Sequence, residues 1–206
     1  FLLYLGSMHL FFSTPVWIDQ INDFEVINDD LKNYIYQERE KNPDGVKKSN
    51  VKGWHSEGFD LKNESLKRFI NEISNNIGTA VKDMGWDLET QLVRITNMWA
   101  IINKERAFNE RHHHGNSSLS AAYYVKAEES SGDIIFFDPR QANVFHHPTS
   151  KEANSLNCQV QSVTPKAGTL VLFPSYLEHK VDENLSNEER IVVSFNISLI
   201  RKKDLL

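Results

Sequence analysis

Cysteine is almost absent: Cys158 is the only one in 206 residues. A single thiol excludes a disulfide framework and a thiolate metal site, and it suits a reducing cytoplasm. No apolar run approaches the roughly 18 residues needed to span a bilayer. The opening Phe1-Leu2-Leu3-Tyr4-Leu5 is far shorter and has no basic residue before it, so it does not read as a signal peptide. Met8, after Gly6-Ser7, reads as a true start behind a leader or vector-derived remnant, which would put residues 1–7 outside the fold. Positive charge is short as well. Lys+Arg number 23 against 28 Asp+Glu, for a net charge of −5, and no basic run forms a phosphate-binding stripe, which argues against nucleic acid as a partner.

What remains is ordinary globular material, 40% hydrophobic and 25% charged. A chain of this size can bury about 70% of its extended surface, enough for a sizeable core. A single domain over residues 8–206 is expected, with a helical N-terminal part over about 27–85 and a β core over about 90–200.

Met8 to Ile18 is rich in β-formers, with Pro15 pointing to an edge strand. Asn28-Asp29-Asp30 offers an N-cap for a helix from Leu31 to about Lys41, closed by the turn residues Asn42-Pro43-Asp44-Gly45. Residues 49–61 read as irregular. From Glu64 to Met84, Leu66, Phe69, Ile70, Ile73, Ile77, Ala80 and Val81 trace an amphipathic helix that ends at Gly85. Strands follow at 92–103, 119–126, 133–137, 158–163, 169–173 and 190–200, with polar loops at 138–157 and 180–189. Helices followed by a run of short strands is an α+β, mainly β pattern closing in a sandwich or barrel.

The densest chemical signal is Arg111-His112-His113-His114-Gly115. Along an extended chain residues i and i+2 share a face, so His112 and His114 can converge while His113 turns away. Two neutral imidazoles make a partial site for a divalent metal; the competing reading is a solvated polar loop. A lone His179 follows the strand Phe173-Pro174, and Arg190 opens another strand 11 residues later. Period two puts Arg190, Val192, Ser194 and Asn196 on one face and Ile191, Val193 and Phe195 on the other. An inward-facing Arg needs an anion, and its fork matches a carboxylate; pairing with a surface Glu is the plainer alternative.

Together these pieces resemble the Fe(II)- and 2-oxoglutarate-dependent oxygenases, which carry a His-x-Asp/Glu pair, a late His, and then an Arg that grips the far carboxylate of the co-substrate. The resemblance extends to a bacterial and phage branch related to prolyl-hydroxylase-like members. Phe12-Ser13-Thr14-Pro15 and Gly53-Trp54-His55-Ser56 match its N-terminal blocks, and Asn109-Glu110-Arg111-His112-His113-His114-Gly115-Asn116-Ser117 matches its core. Leu119 to Val125, Phe137-Asp138-Pro139-Arg140 and Leu172 to His179 match later blocks, so the likeness runs from about residue 9 to 199.

The resemblance implies a double-stranded β-helix (jelly roll) with the N-terminal helices packed on one sheet. It also implies Fe(II) on His112, His114 and His179, with 2-oxoglutarate and O₂ as co-substrates. Arg190 would hold the C5 carboxylate. Tyr124 lies 12 residues after His112, where related enzymes place a carboxylate-bonding Tyr, and Ser194 could add a hydroxyl. The implied reaction is hydroxylation of a small-molecule or peptidyl substrate with release of succinate and CO₂.

Having His114 where most of the superfamily has a carboxylate is a departure, and Glu110, Asp133 or Asp138 could supply the carboxylate instead. Trp99 and Asn103 could line the substrate side or simply pack, and Asn109 and Asn116 bracket the cluster as candidate donors to the imidazoles. The N-terminal strand could pair two protomers as a homodimer. A cupin-like metal-binding jelly roll (an isomerase or small-ligand sensor) is the competing function, but it leaves Arg190 unexplained and expects a Glu soon after the His pair, where the next carboxylate is Glu128.

Overall fold

The structure, a computed structural model, describes residues 8–140 and 148–205; residues 1–7 and His146-His147 lie outside the described residues. Two antiparallel sheets carry the chain. The larger has the order β1 (Trp17–Gln20), β9 (Thr169–Pro174), β6 (Leu119–Lys126), β11 (Arg190–Arg201), β4 (Gln91–Asn103) and β3 (Trp54–His55). The smaller runs β2 (Asn50–Val51), β5 (Phe108–His112), β10 (His179–Val181), β7 (Ile134–Phe137) and β8 (Val160–Val163).

Two helices, α1 (Phe24–Lys41) and α2 (Glu64–Asp83), cover the outer face of the larger sheet. The Asn63 side chain caps α2 by accepting from the Ser65 N–H, and Gly85, at φ +64, ends it. The buried stripe Leu66, Phe69, Ile73, Ile77, Ala80 and Val81 packs on Tyr123, Phe195 and their neighbours. Phe69 lies 4.7 Å from the Tyr123 ring. Each such large side chain contributes about 1.5–3 kcal/mol by leaving water.

β6 is buried along nearly its whole length because helices cover one face and the smaller sheet the other. Its alternation sorts the two cores: Ala121, Tyr123 and Val125 face the helices, while Ala122 and Tyr124 face between the sheets. β11 divides the same way, with Ile191, Val193, Phe195 and Ile197 under the helices and Val192 in the inter-sheet core.

Three local expectations shift in the N-terminal part, and the expected loop at 180–189 gives its first residues to β10. The first strand is Trp17–Gln20 rather than 8–18, because Phe12 at φ 60 and the imino nitrogen of Pro15 interrupt the run before it meets β9; β1 does lie at a sheet edge. α1 starts at Phe24, so Asn28 is a buried helix residue and not a cap. It donates to the Val125 carbonyl (2.8 Å) and accepts from the Tyr123 hydroxyl (2.7 Å), riveting helix to sheet. The irregular segment 49–61 contributes two short strands, β2 and β3, one to each sheet. Among the described residues no helix is long and apolar enough to cross a membrane.

Candidate metal centre and co-substrate cavity

A cavity of about 550 Å³ opens between the sheets, lined by the inward residues of β4, β5, β6, β10 and β11. His112 and His179 are direct cross-strand partners of β5 and β10. His114 lies two residues past the end of β5, where its N–H donates to the Ser175 carbonyl at 2.9 Å. The ring centroids are 4.4 Å apart for His112–His179 and 5.2 Å for each of the other two pairs. One nitrogen from each ring lies within 4.8 Å of the others, and no carboxylate joins the cluster among the described residues.

The hydrogen bonds decide which nitrogen each ring presents. His112 Nδ1 donates to the Glu110 carbonyl (2.7 Å), His179 Nδ1 to the Leu177 carbonyl (2.9 Å), and His114 Nδ1 to Asn196 Oδ1 (2.6 Å). With every Nδ1 engaged by an oxygen, the nitrogens left for a shared ion are the three Nε2 atoms, of which His112 Nε2 also stands 3.5 Å from the Ser49 hydroxyl, a long contact that an ion would displace. Ser120 strengthens the His114 arrangement. Its hydroxyl donates to the same Asn196 oxygen at 2.8 Å, and Ser175 Oγ lies 2.8 Å beyond. Burial holds the rings neutral, pushing His179 down to about 3 and His114 to about 4, with His112 also lowered. Neutral imidazoles are ready ligands.

Arg190 lies deep in the same cavity, 1% exposed and paired with Asn103 across the β11–β4 ladder. Its Nη1 donates to the carbonyls of Ser131, Gly132 (3.0 Å) and Asp182 (3.4 Å), whereas Nη2 is buried without a partner. Among the described residues no Glu or Asp forms an ion pair with Arg190, as the plainer surface-Glu alternative would require, and nearby Asp182 pairs with Lys180 at 2.8 Å. Tyr124 and Ser194 line the cavity with Arg190, and burial raises the Tyr124 hydroxyl to about 12. The exposed rim consists of Lys48, Asn97, Glu110, Arg111 and Gly115, so the cavity runs from that mouth to a floor at Arg190.

His55 and Trp99 also form cavity wall, their rings near-parallel at 5.8 Å, and Trp99 lies 5.6 Å from His114. Asn109 and Asn116 do not bond the imidazoles. Asn109 accepts from Asn103 and donates to Ser49, and Asn116 is an exposed turn residue at φ 62. Asn196 and Ser120 do that work. Period two on β11 already put Asn196 on the Arg190 face, the one signal in the sequence that could have found it. Asp138-Pro139-Arg140 is a turn closed by its own ion pair at 2.8 Å, and Arg111 turns outward to Glu178 and the Phe137 ring.

Residues 97–196, which hold the triad, Tyr124, Arg190 and Ser194, match the family described as "Putative 2OG-Fe(II) oxygenase". The likeness is to the 2OG-Fe(II) oxygenases. By sequence alone, no curated protein matches the chain. The fold of this chain recurs in a Pseudomonas putida prolyl-4-hydroxylase, at TM-score 0.63 and 13% identity over 90% of this chain and 93% of that one. It recurs in HygX from Streptomyces hygroscopicus, solved with nickel and 2-oxoglutarate bound, at TM-score 0.61 and 10% identity over 90% and 83%. The epimerase SnoN from nogalamycin biosynthesis shares it at TM-score 0.64 and 11% identity over 90% and 76%. At these identities the likeness is one of fold.

Proposed function

We propose that this chain is a non-haem Fe(II)- and 2-oxoglutarate-dependent dioxygenase hydroxylating a peptidyl, amino-acid or other small-molecule substrate. On this reading residues 8–206 form one double-stranded β-helix (jelly-roll) domain that works in a reducing cytoplasm. The observation that carries the reading is the pairing, in one cavity, of three convergent Nε2 atoms with a buried guanidinium whose Nη2 has no partner. A buried cation left unpaired is costly, and the missing counter-charge fits a carboxylate.

The donor set fits both groups. His112, His114 and His179 would hold the iron, and Arg190 would take the C5 carboxylate of 2-oxoglutarate, with the Tyr124 and Ser194 hydroxyls beside it. When bound, the iron and 2-oxoglutarate supply the oxidising chemistry that consumes O₂, releases succinate and CO₂ and attacks the substrate. This chain's share is placement. The Nδ1 hydrogen bonds fix the three ring planes, Ile134, Phe173, Val192 and Ala122 keep water from the cavity wall, and Arg190 sets how deep the co-substrate sits. Three imidazoles would bring no negative charge to the ion, so a dianionic co-substrate would supply the compensating charge and the two would bind cooperatively.

The prolyl-4-hydroxylase supports a peptidyl substrate and hydroxylation. HygX and SnoN support small molecules, and SnoN as an epimerase shows that other outcomes use the same fold. The test is aerobic conversion of 2-oxoglutarate to succinate by the Fe(II)-loaded chain in the presence of candidate peptides. The wild type is expected to form succinate and His179→Ala to form none. Equal succinate from both proteins would overturn the assignment.

A further inference from the structure

Arg190 is held in an unusual way for a buried cation. Among the described residues no carboxylate pairs with it; one of its terminal nitrogens sits in a nest of backbone oxygens while the other has no partner there. The nest is built by two stretches remote in sequence. Residues 128–133 form a tight turn with the Ser131 N–H bonded to the Glu128 carbonyl (3.1 Å). Residues 182–185 are stitched to it by Asp182 N–H to the Asp133 carbonyl (2.9 Å) and Leu185 N–H to the Ser130 carbonyl (2.9 Å).

Gly132 is the residue that lets the two stretches close on the guanidinium. It sits at φ +97, a conformation costly for other residues, and a Cβ there would meet the Asp182 carbonyl oxygen, Arg190 Nη1 at 2.6 Å and the Glu183 carbonyl oxygen at 2.9 Å. Backbone oxygens cannot step aside cheaply, so any side chain at this position drives Nη1 out of its nest.

A free Arg side chain gives up rotamer entropy when it is immobilised. Here the nest has met that cost before any ligand arrives, and it leaves the second arm aimed where no protein group answers it. We infer that the Gly132 turn is a seat that pre-orients Arg190, and that this seat sets the selectivity of the cavity for a 2-oxo acid with a second carboxylate over one without. Gly132 is thus a positioning residue acting through Arg190. The inference rests on the assignment of Arg190 to the far carboxylate of 2-oxoglutarate.

The test is anaerobic titration calorimetry of the Fe(II)-loaded chain with 2-oxoglutarate and with 2-oxobutanoate, which keeps the 2-oxo acid head and lacks the far carboxylate. The wild type should prefer 2-oxoglutarate by at least about tenfold. In Gly132→Ala the affinity for 2-oxoglutarate should fall by about tenfold or more, with Fe(II) and 2-oxobutanoate affinities unchanged. A preference kept intact in the variant overturns the seat, and so does equal weakening of both acids, which marks general damage. A wild type without the preference overturns the assignment of Arg190 itself. Should Gly132→Ala fail to fold, hydrogen exchange on the wild type decides. The amides of Ser131, Asp182 and Leu185 should gain protection with 2-oxoglutarate and not with 2-oxobutanoate, and the absence of that gain refutes the seat.

Discussion

Replacing Arg190 by Met separates what this side chain does for the fold from what it does for a ligand. The guanidinium is 1% exposed and has no carboxylate partner, so the ligand-free fold bears an unpaired ion whose desolvation costs several kcal/mol. In return it gains hydrogen bonds from one nitrogen to three carbonyls, worth about 1.5–3 kcal/mol for a charged donor. Met has a comparable length and no charge to desolvate. Gain and loss nearly offset, so the variant's stability should lie within about 2 kcal/mol of the wild type, or about 8 °C in melting temperature for a chain this long. Binding behaves differently. Truncating one side of a buried charge pair costs about 2–5 kcal/mol, at least about thirtyfold in affinity. Anaerobic thermal melts with Fe(II), with and without 2-oxoglutarate, read both effects. At a 2-oxoglutarate concentration near the wild-type Kd, the wild type should gain melting temperature and Arg190→Met essentially none. A ligand-free variant melting more than about 12 °C lower would mean that Arg190 is a structural keystone, and a retained ligand shift would mean that it does not hold the co-substrate.

His179→Ala removes one of three converging nitrogens and should abolish measurable Fe(II) binding by calorimetry; retained binding would put the metal elsewhere. Asn196→Ala removes the 2.6 Å acceptor of His114 Nδ1 and leaves it only the Ser120 hydroxyl at 2.9 Å, so metal binding should weaken about 10-fold, and by up to about 100-fold when Ser120→Ala is added, with Asn196→Asp restoring most of the loss. Asn28→Ala strands the Val125 carbonyl and the Tyr123 hydroxyl under α1, so it should cost about 2–5 kcal/mol in denaturant melts while leaving the metal affinity unchanged. Fe(II) should bind more tightly in the presence of 2-oxoglutarate than in its absence, and equal affinity would contradict charge compensation by the co-substrate.

Much of this architecture is readable in the sequence, and what is not has physical causes. α2 shows itself because its stripe repeats at helical spacing over five turns, and β4, β6, β9 and β11 because apolar runs of strand length need no partner to be recognised. Period two along β11 separates Arg190, Ser194 and Asn196 from the residues under the helices in the sequence itself. β5 and β10 escaped. They are short and polar, and they exist because they pair with each other and because His112 faces His179. The second layer around the metal escaped for a related reason: Asn196 and His114 are 82 residues apart, and only the closing of the sheets brings them together. Of the two asparagines close in sequence to the histidines, Asn116 turns to solvent and Asn109 reaches His112 only through Ser49. Asn28 misled as a cap signal, since the same side chain that caps a helix can bridge it to a sheet when burial demands it.

The most direct test of the central claim is an anaerobic absorbance titration of the metal-free chain with Fe(II) and then 2-oxoglutarate, run beside Arg190→Ala. The account predicts a visible charge-transfer band that appears only with both present and needs far more 2-oxoglutarate in the variant. Metal binding with no such band at any 2-oxoglutarate concentration would contradict it and favour a metal-binding jelly roll without oxygenase chemistry.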